Sequence, residues 1–373
     1  FDLPEAPTGD DAARARAILE APLAGFPFVD GASRAVVLSA VLTAIQRKVL
    51  RSAPAHGFNA PTPGSGKTLL ADFVSNIATG RDAAKMAQGR DGGEDKKRLL
   101  AVLMDGDPIV CIDNIERTVD DDALCTILTE STYRDRILGE SRVVSIPTGA
   151  TFLLTGNNLT FSGDITTRVL MATIDPKSER PEEREFDGDL REQVRRDRAA
   201  LIRAALTIVK AHQIAGRPTE GLRPFGRFEQ WSAEVRAALV WSGSADPCET
   251  RELVIENDPR GAALRSLLEN WRAEWAAQPL TVAALIKEIE PDRKTGLHNV
   301  KRGPELWAAV QTLASDGRGG ANPRMLSWAL RHAAGRVYGG LRLQRGEGGS
   351  AGRWWVQAAD DEQQGEVAHE PDM

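Results

Sequence analysis

Residues 56–68 read HGFNAPTPGSGKT, and residues 69–77 continue LLADFVSNI. His56 to Ala60 reads as a short strand and Lys67 to Ile77 as an apolar helix. Pro63-Gly64-Ser65-Gly66-Lys67-Thr68 is the turn between them. Glycines at 64 and 66 let the backbone curl until its N–H groups point at an anion, at the positive end of the following helix. Lys67 then neutralises β/γ-phosphate charge and the Thr68 hydroxyl holds Mg²⁺. The stretch is a candidate cradle for ATP and Mg²⁺, with Pro63, Gly64, Ser65, Gly66, Lys67 and Thr68 as its binding residues. The glycine that usually opens such a loop falls at Pro61, so the match is to the GxGKT core alone.

Upstream, Ser33 to Arg51 carries apolar residues at helical spacing. Downstream, a helix is expected over Glu94 to Met104, followed by a buried-type strand over Pro108 to Asp113. The carboxylate closing that strand is a candidate Mg²⁺ ligand together with Thr68, acting through water. A surface acid closing a core strand is the alternative. A third strand, Thr151 to Thr155, leads into Gly156 and Asn157, and Arg168 to Ile174 suggests another. Between Gly80 and Lys96 only Ala83 to Met86 offers a weak strand. Apolar strands alternating with helices predict a covered parallel sheet.

After Pro176 the pattern changes. Glu179 to Arg184 reads as a charged, proline-broken linker, and Asp189 to Ile214 as one long helix, a helical lid in which the run Arg191 to Arg198 is a solvated face or carries one nucleotide-sensing arginine. Helices follow over Phe228 to Ser242 and Asp258 to Trp275. From Pro279 the order is helix (Thr281 to Ile289), helix (Pro304 to Ala314), helix (Asn322 to Ala334), then strands Leu341 to Arg345 and Arg353 to Val356 around a glycine-rich tip, which describes a winged helix. The expected division is a linker over 1–30, an ATPase core over 31–176, a lid and connector over 177–278, a winged-helix-like domain over 279–358 and an acidic, disordered tail over 359–373.

The net charge is −6, but the tail alone carries six acids and no Lys or Arg, so the remainder is neutral. Local clusters therefore decide what binds. Arg324, Arg331, Arg336, Arg342, Arg345 and Arg353 gather near Trp354 and Trp355 as a basic surface; strand alternation turns only one of the two tryptophans outward. No apolar run approaches the ~20 residues needed to span a bilayer. The first 30 residues lack the pattern of a secretory signal, and Phe1 reads as a cut site. Cys111, Cys125 and Cys248 have no metal-ligand spacing, which favours a reducing cytoplasm.

NAPTPGSGKTLLADF, IVCIDNIER, YRDRILGESRVVSIP and FLLTGNNLTFSGDITTRVLMATID together resemble the AAA+, superfamily 3-like helicase portion of phage and mobile-element primase-helicases, over roughly Ser33 to Pro247. The resemblance implies a P-loop AAA+ sheet with helices on both faces. It also implies a homo-oligomeric ring, commonly a hexamer, translocating on single-stranded or forked DNA in a bacterial host cell, with a primase domain often upstream. Asn157 is then the first sensor, aligning the attacking water, with an Asn-Asn turn as the bland alternative. Arg168 is a candidate arginine finger for a neighbouring subunit, or else a solvated or salt-bridged arginine. One departure stands out: Asn114 follows Asp113 where many such enzymes place the glutamate that polarises water, leaving Glu116 or Asp113 as candidate base. Arg134, Arg136 and Arg142 flank Gly139-Glu140-Ser141 in an expected hairpin, where they contact DNA phosphates, decorate the surface or reach the neighbouring nucleotide. The function expected is an ATP-driven ring helicase; the alternative is a nucleotide-gated replication initiator or loading scaffold with weak hydrolysis.

Overall fold

The computed structural model describes residues 2–137, 141–183, 188–219, 221–291, 304–346 and 352–360. Contacts divide the chain into two units, Phe1–Ile255 and Glu256–Met373. Gly139, Glu140, Arg184 and the tail beyond Asp360 lie outside the described residues.

The first unit is α/β. Its chain order is α1 (Gly9–Glu20), α2 (Gly31–Gln46), β1 (Ala55–Ala60), α3 (Lys67–Thr79), β2 (Ala84–Ala87), α4 (Gly92–Asp105), β3 (Ile109–Ile115), α5 (Asp122–Thr129), β4 (Thr132–Arg136), β5 (Val143–Pro147), β6 (Thr151–Asn157), β7 (Val169–Thr173) and α6 (Leu190–Ile214), followed by helical turns over 229–241. Five strands form one sheet in the order β2-β3-β6-β1-β7, with every pairing parallel. The strand leading into the GxGKT turn is thus interior, and β6 separates it from the strand that carries Asp113. Flanking helices cover the sheet, so β1, β6 and β7 are buried nearly throughout, as expected of parallel strands that read as continuous apolar runs. Phe58, Phe73, Phe152 and Trp231 fill the core. The weak strand of the sequence is the edge strand β2, in which only Met86 is buried.

Residues 1–30, expected as a linker, instead contain α1. Thr8 and Asp11 close a capping box at its start, and α1 packs along α6. The reason is local: Ala12, Ala15 and Leu19 recur on one face of the helix and are buried. Helix α6 also lies along α3, and Leu201, Ile202, Ala205 and Ile208 belong to the same core as the sheet. The thiols Cys111, Cys125 and Cys248 are free and buried.

The second unit includes the helix Pro259–Trp275, which the sequence groups with the 177–278 segment. It packs there because Leu264, Leu267, Leu268 and Trp271 share a core with Leu285, Leu326 and Val356. Three further helices (Val282–Ile289, Pro304–Ala314, Pro323–Ala333) accompany an antiparallel sheet in which Arg353–Ala358 pairs with Leu341–Gly346. Trp354 faces inward and Trp355 is half-exposed, as strand alternation requires. No helix among the described residues is long and apolar enough to cross a membrane.

Candidate functional site

At the carboxyl end of β1 the chain turns through residues 61–66 into α3. Gly64 (φ +73°) and Gly66 (φ +96°) are left-handed, a region that disfavours side chains. Space also demands glycine: a Cβ on Gly66 would lie 3.1 Å from the Phe26 ring, and one on Gly64 would lie 3.1 Å from the Glu182 carboxylate. Ser65 Oγ donates to the Thr62 carbonyl (2.6 Å) and tightens the loop. Gly66 caps α3 without a side-chain acceptor. The first N–H groups of the helix are therefore left for a ligand at the positive end of its dipole.

Four elements converge on this helix start. Lys67 Nζ donates to the Thr62 carbonyl (3.1 Å) and to Asn157 Oδ1 at the end of β6 (2.6 Å). Thr68 Oγ1 donates to Asp113 Oδ1 on β3 (3.0 Å), and Thr155 Oγ1 on β6 donates to the same oxygen (2.6 Å). Burial pushes the Lys67 ammonium below its ordinary range, and the Asp113 charge opposes that shift. Among the described residues no group of three or more His, Cys, Asp or Glu side chains could hold a metal by itself. The donor set nevertheless fits Mg²⁺, which binds through one carboxylate and a hydroxyl with the remaining positions left to phosphate and water.

Next to Asp113 the β3–β6 register slips between Ile112 and Ile115, and Asn114 sits at φ +54°. The bulge turns Asp113 toward Thr68 and leaves Asn114 exposed. Opposite the bulge, a Cβ on Gly156 would come within 2.5 Å of the Ile115 carbonyl, so only glycine lets β6 approach here. Glu116 is exposed beyond the bulge. Its carboxylate accepts from Asn114 Nδ2 (3.2 Å), and it is not joined to the Lys67–Asp113 cluster.

Arg168 belongs to the opposite end of the sheet. Its carbonyl accepts from Ala55 N, at the start of β1 (3.0 Å). The strand it adjoins is six residues long, so at about 3.3 Å per residue the side chain cannot serve the loop that follows the same strand. The guanidinium is buried and donates to the Asp164 carbonyl (2.5 Å). It lines an open cleft of about 690 Å³ with Arg51, Arg227, Thr129, Glu130 and Ser52.

The hairpin β4–β5 pairs Arg134 with Ser145 and Arg136 with Val143, and all four residues are exposed on one face. The sequence grouped Arg142 with these arginines, but the geometry separates it. Ile137 N donates to the Arg142 carbonyl (3.0 Å), which extends the ladder by one pair and, by alternation, assigns Arg142 to the face of Asp135 and Val144. Asp135 on that face accepts from Tyr133 and pairs with Lys96. The hairpin base is held by Arg47, a buried cation donating to the carbonyls of Leu50, Thr148 and Ala150. Burial lowers its pKa to about 10.

No family model and no curated protein matches the chain. Among solved structures it is similar to the apo A form of the NrS-1 C-terminal region (TM-score 0.40, 13% identity, 95% of this chain and 77% of that one). It is also similar to the SCCmec type IV Cch active helicase (0.38, 12%, 97% and 72%) and to JCV helicase (0.26, 12%, 63% and 67%). The solved structures it resembles include helicases. With TM-scores this low the likeness assigns no residue, and the site rests on its own geometry.

Two contributors escaped the sequence. Thr155 holds Asp113 and also accepts from Asn114 N (3.2 Å), a role its place two residues before Asn157 could have signalled. Asp72, one turn beyond Thr68 on α3, is wholly buried, but in the sequence it is one acid inside an apolar helix, with no visible partner.

Proposed function

We propose that this chain is an ATP-driven DNA helicase of the ring-forming, superfamily 3-like kind, acting in replication of a phage or mobile element in the bacterial cytoplasm, with Mg²⁺ as cofactor and single-stranded or forked DNA as partner. The observation that carries the reading is the convergence of Lys67, Thr68, Asp113 and Asn157 at a helix start whose N–H donors face a left-handed glycine loop.

In this reading the backbone of Pro63 to Thr68 wraps the phosphates, and Lys67 leaves Asn157 to neutralise the terminal one. Thr68 and Asp113 hold Mg²⁺, which screens the phosphate charge. Asn157, released, orients the attacking water, and Thr155 keeps Asp113 aimed. Glu116 takes the proton once its bond to Asn114 opens, and Arg168 leaves Asp164 to reach the nucleotide of a neighbouring subunit. The exposed pair Arg134 and Arg136 follows the DNA backbone. The second unit, read as winged-helix-like, assists capture: Arg324, Trp328 and Arg331 are exposed on one helix. An upstream primase, and a hexameric ring, complete the proposal.

A second reading is favoured by one observation. Asn114 occupies the position after Asp113, and Glu116 bonds to Asn114 instead of joining the cluster. That suits a nucleotide-gated initiator or loader with weak hydrolysis. ATP turnover measured with and without single-stranded DNA, followed by strand separation on a forked duplex, decides between them. DNA-stimulated turnover with unwinding supports the helicase. ATP binding and assembly without unwinding supports the loader, and absence of ATP binding removes both.

A further inference from the structure

Three arginines of α6, Arg191, Arg195 and Arg198, recur at helical spacing and turn inward onto α3. Arg198 donates to the carbonyls of Asn76, Ile77 and Ala78 at the carboxyl end of α3. The last turn of α3 has no basic residue of its own, so α6 supplies the cation that this helix end favours. Arg195 bonds Asn76 Oδ1 (2.8 Å) and Asp82 (2.9 Å). Arg191 donates twice to Asp72 Oδ2, at 3.0 and 2.6 Å.

Asp72 is the centre of this contact. It is 0% exposed, and its other oxygen accepts from Lys85 Nζ (2.8 Å) and Ala83 N (3.3 Å). Lys85 lies on β2, two residues before Ala87, which pairs with Asp113. One carboxylate therefore ties together the helix that presents Thr68, the strand that registers Asp113, and α6. A buried carboxylate is stable only when its lone pairs are filled in good geometry, so the carboxylate tolerates one arrangement of these three elements.

We infer that Asp72, held by Arg191 and Lys85, is a positioning residue that fixes the Thr68 hydroxyl against the Asp113 carboxylate and so sets how well the site takes Mg²⁺ with its nucleotide. The inference rests on the proposed ATP site. Its consequence is that α6 moves with the phosphate loop as one body. Nucleotide binding then does not close α6 over the loop.

The test compares affinity for a fluorescent ATP analogue with and without Mg²⁺, alongside thermal unfolding. Asp72→Asn is expected to keep its Mg²⁺-free affinity within about twofold and to lose about tenfold of the gain that Mg²⁺ brings, the usual scale for a residue behind a metal ligand. Arg191→Gln reproduces the loss and Arg191→Lys restores most of it. Because Arg191 is partly exposed, its variants serve even where Asp72→Asn fails to fold. A wild-type Mg²⁺ gain in Arg191→Gln, whatever its melting temperature, overturns the positioning role and leaves the contact as packing alone. A wild-type chain that binds no ATP analogue overturns the underlying site, a failure seen before any variant is made.

Discussion

At the carboxyl ends of β1, β3 and β6, Lys67, Thr68, Asp113, Thr155 and Asn157 hold one another through bonds of 2.6 to 3.0 Å, whereas near the amino ends of β1 and β7, Arg51, Arg168 and Arg227 line an open cleft. One end is assembled before any ligand arrives, and its polar groups are already aimed. The other holds three guanidinium groups, only one of them, Arg168, tied to a carboxylate by a described ion pair. An end of the first kind works on what it encloses. An end of the second kind is open to whatever another molecule brings.

The largest effect should come from the assembled end. Lys67→Ala is expected to lower ATP turnover by at least about 10³-fold, since the terminal phosphate would lose its facing charge; wild-type turnover would show that the loop is not the active site. Arg168→Ala and Glu116→Gln should each cost on the order of 10²-fold while sparing nucleotide affinity. Mixing separates them. Arg168→Ala subunits combined with Lys67→Ala subunits recover turnover if the cleft serves a neighbour, and Glu116→Gln subunits do not rescue Lys67→Ala, because both defects lie at the same end. Co-assembly without recovery for Arg168→Ala would erase the functional difference between the two ends.

Smaller effects sharpen the contrast in the hairpin. Arg134→Ala and Arg136→Ala should each flatten the salt dependence of single-strand binding by roughly 0.7 in log–log slope, with Arg142→Ala doing less because it belongs to the other face. Equal slopes for all three would reject the assignment of faces. A separate expectation, for stability rather than binding, concerns His56 in β1, buried with no hydrogen-bond partner among the described residues for either ring nitrogen and pushed down to about pKa 3 by that burial. The unfolded chain binds a proton below about pH 6.5 and the folded chain does not, so folding loses about 1.4 kcal/mol per pH unit as pH falls from there toward 3. Urea midpoints of wild type and His56→Leu between pH 5 and 7 measure this: a wild-type slope that the variant keeps would assign it to other groups.

Much of the assembled end was legible because its chemistry is contiguous. GSGKT, the strand that carries Asp113 and the strand ending in Asn157 each announce themselves within a few residues. What stayed hidden depends on pairs distant in sequence. Asp72 and Arg191 meet across 119 positions, and Arg142 parts from Arg134 only once cross-strand register is known. The edge strand β2 was faint for another reason. With one buried residue in four, it holds its place through the pairing with β3 and needs little apolar content of its own.

The buried cysteines turn the first unit into its own stopwatch. Burial raises all three thiols, Cys125 and Cys248 to about 12 and Cys111 further, so each is expected to react only slowly with an alkylating reagent until the fold opens. Each therefore records the rate at which its own neighbourhood opens. Cys111 lies in the middle of β3, two positions before Asp113. Its labelling half-life, followed with nucleotide and without, would read how firmly the strand is gripped, with no dye, tag or added reporter in the chain.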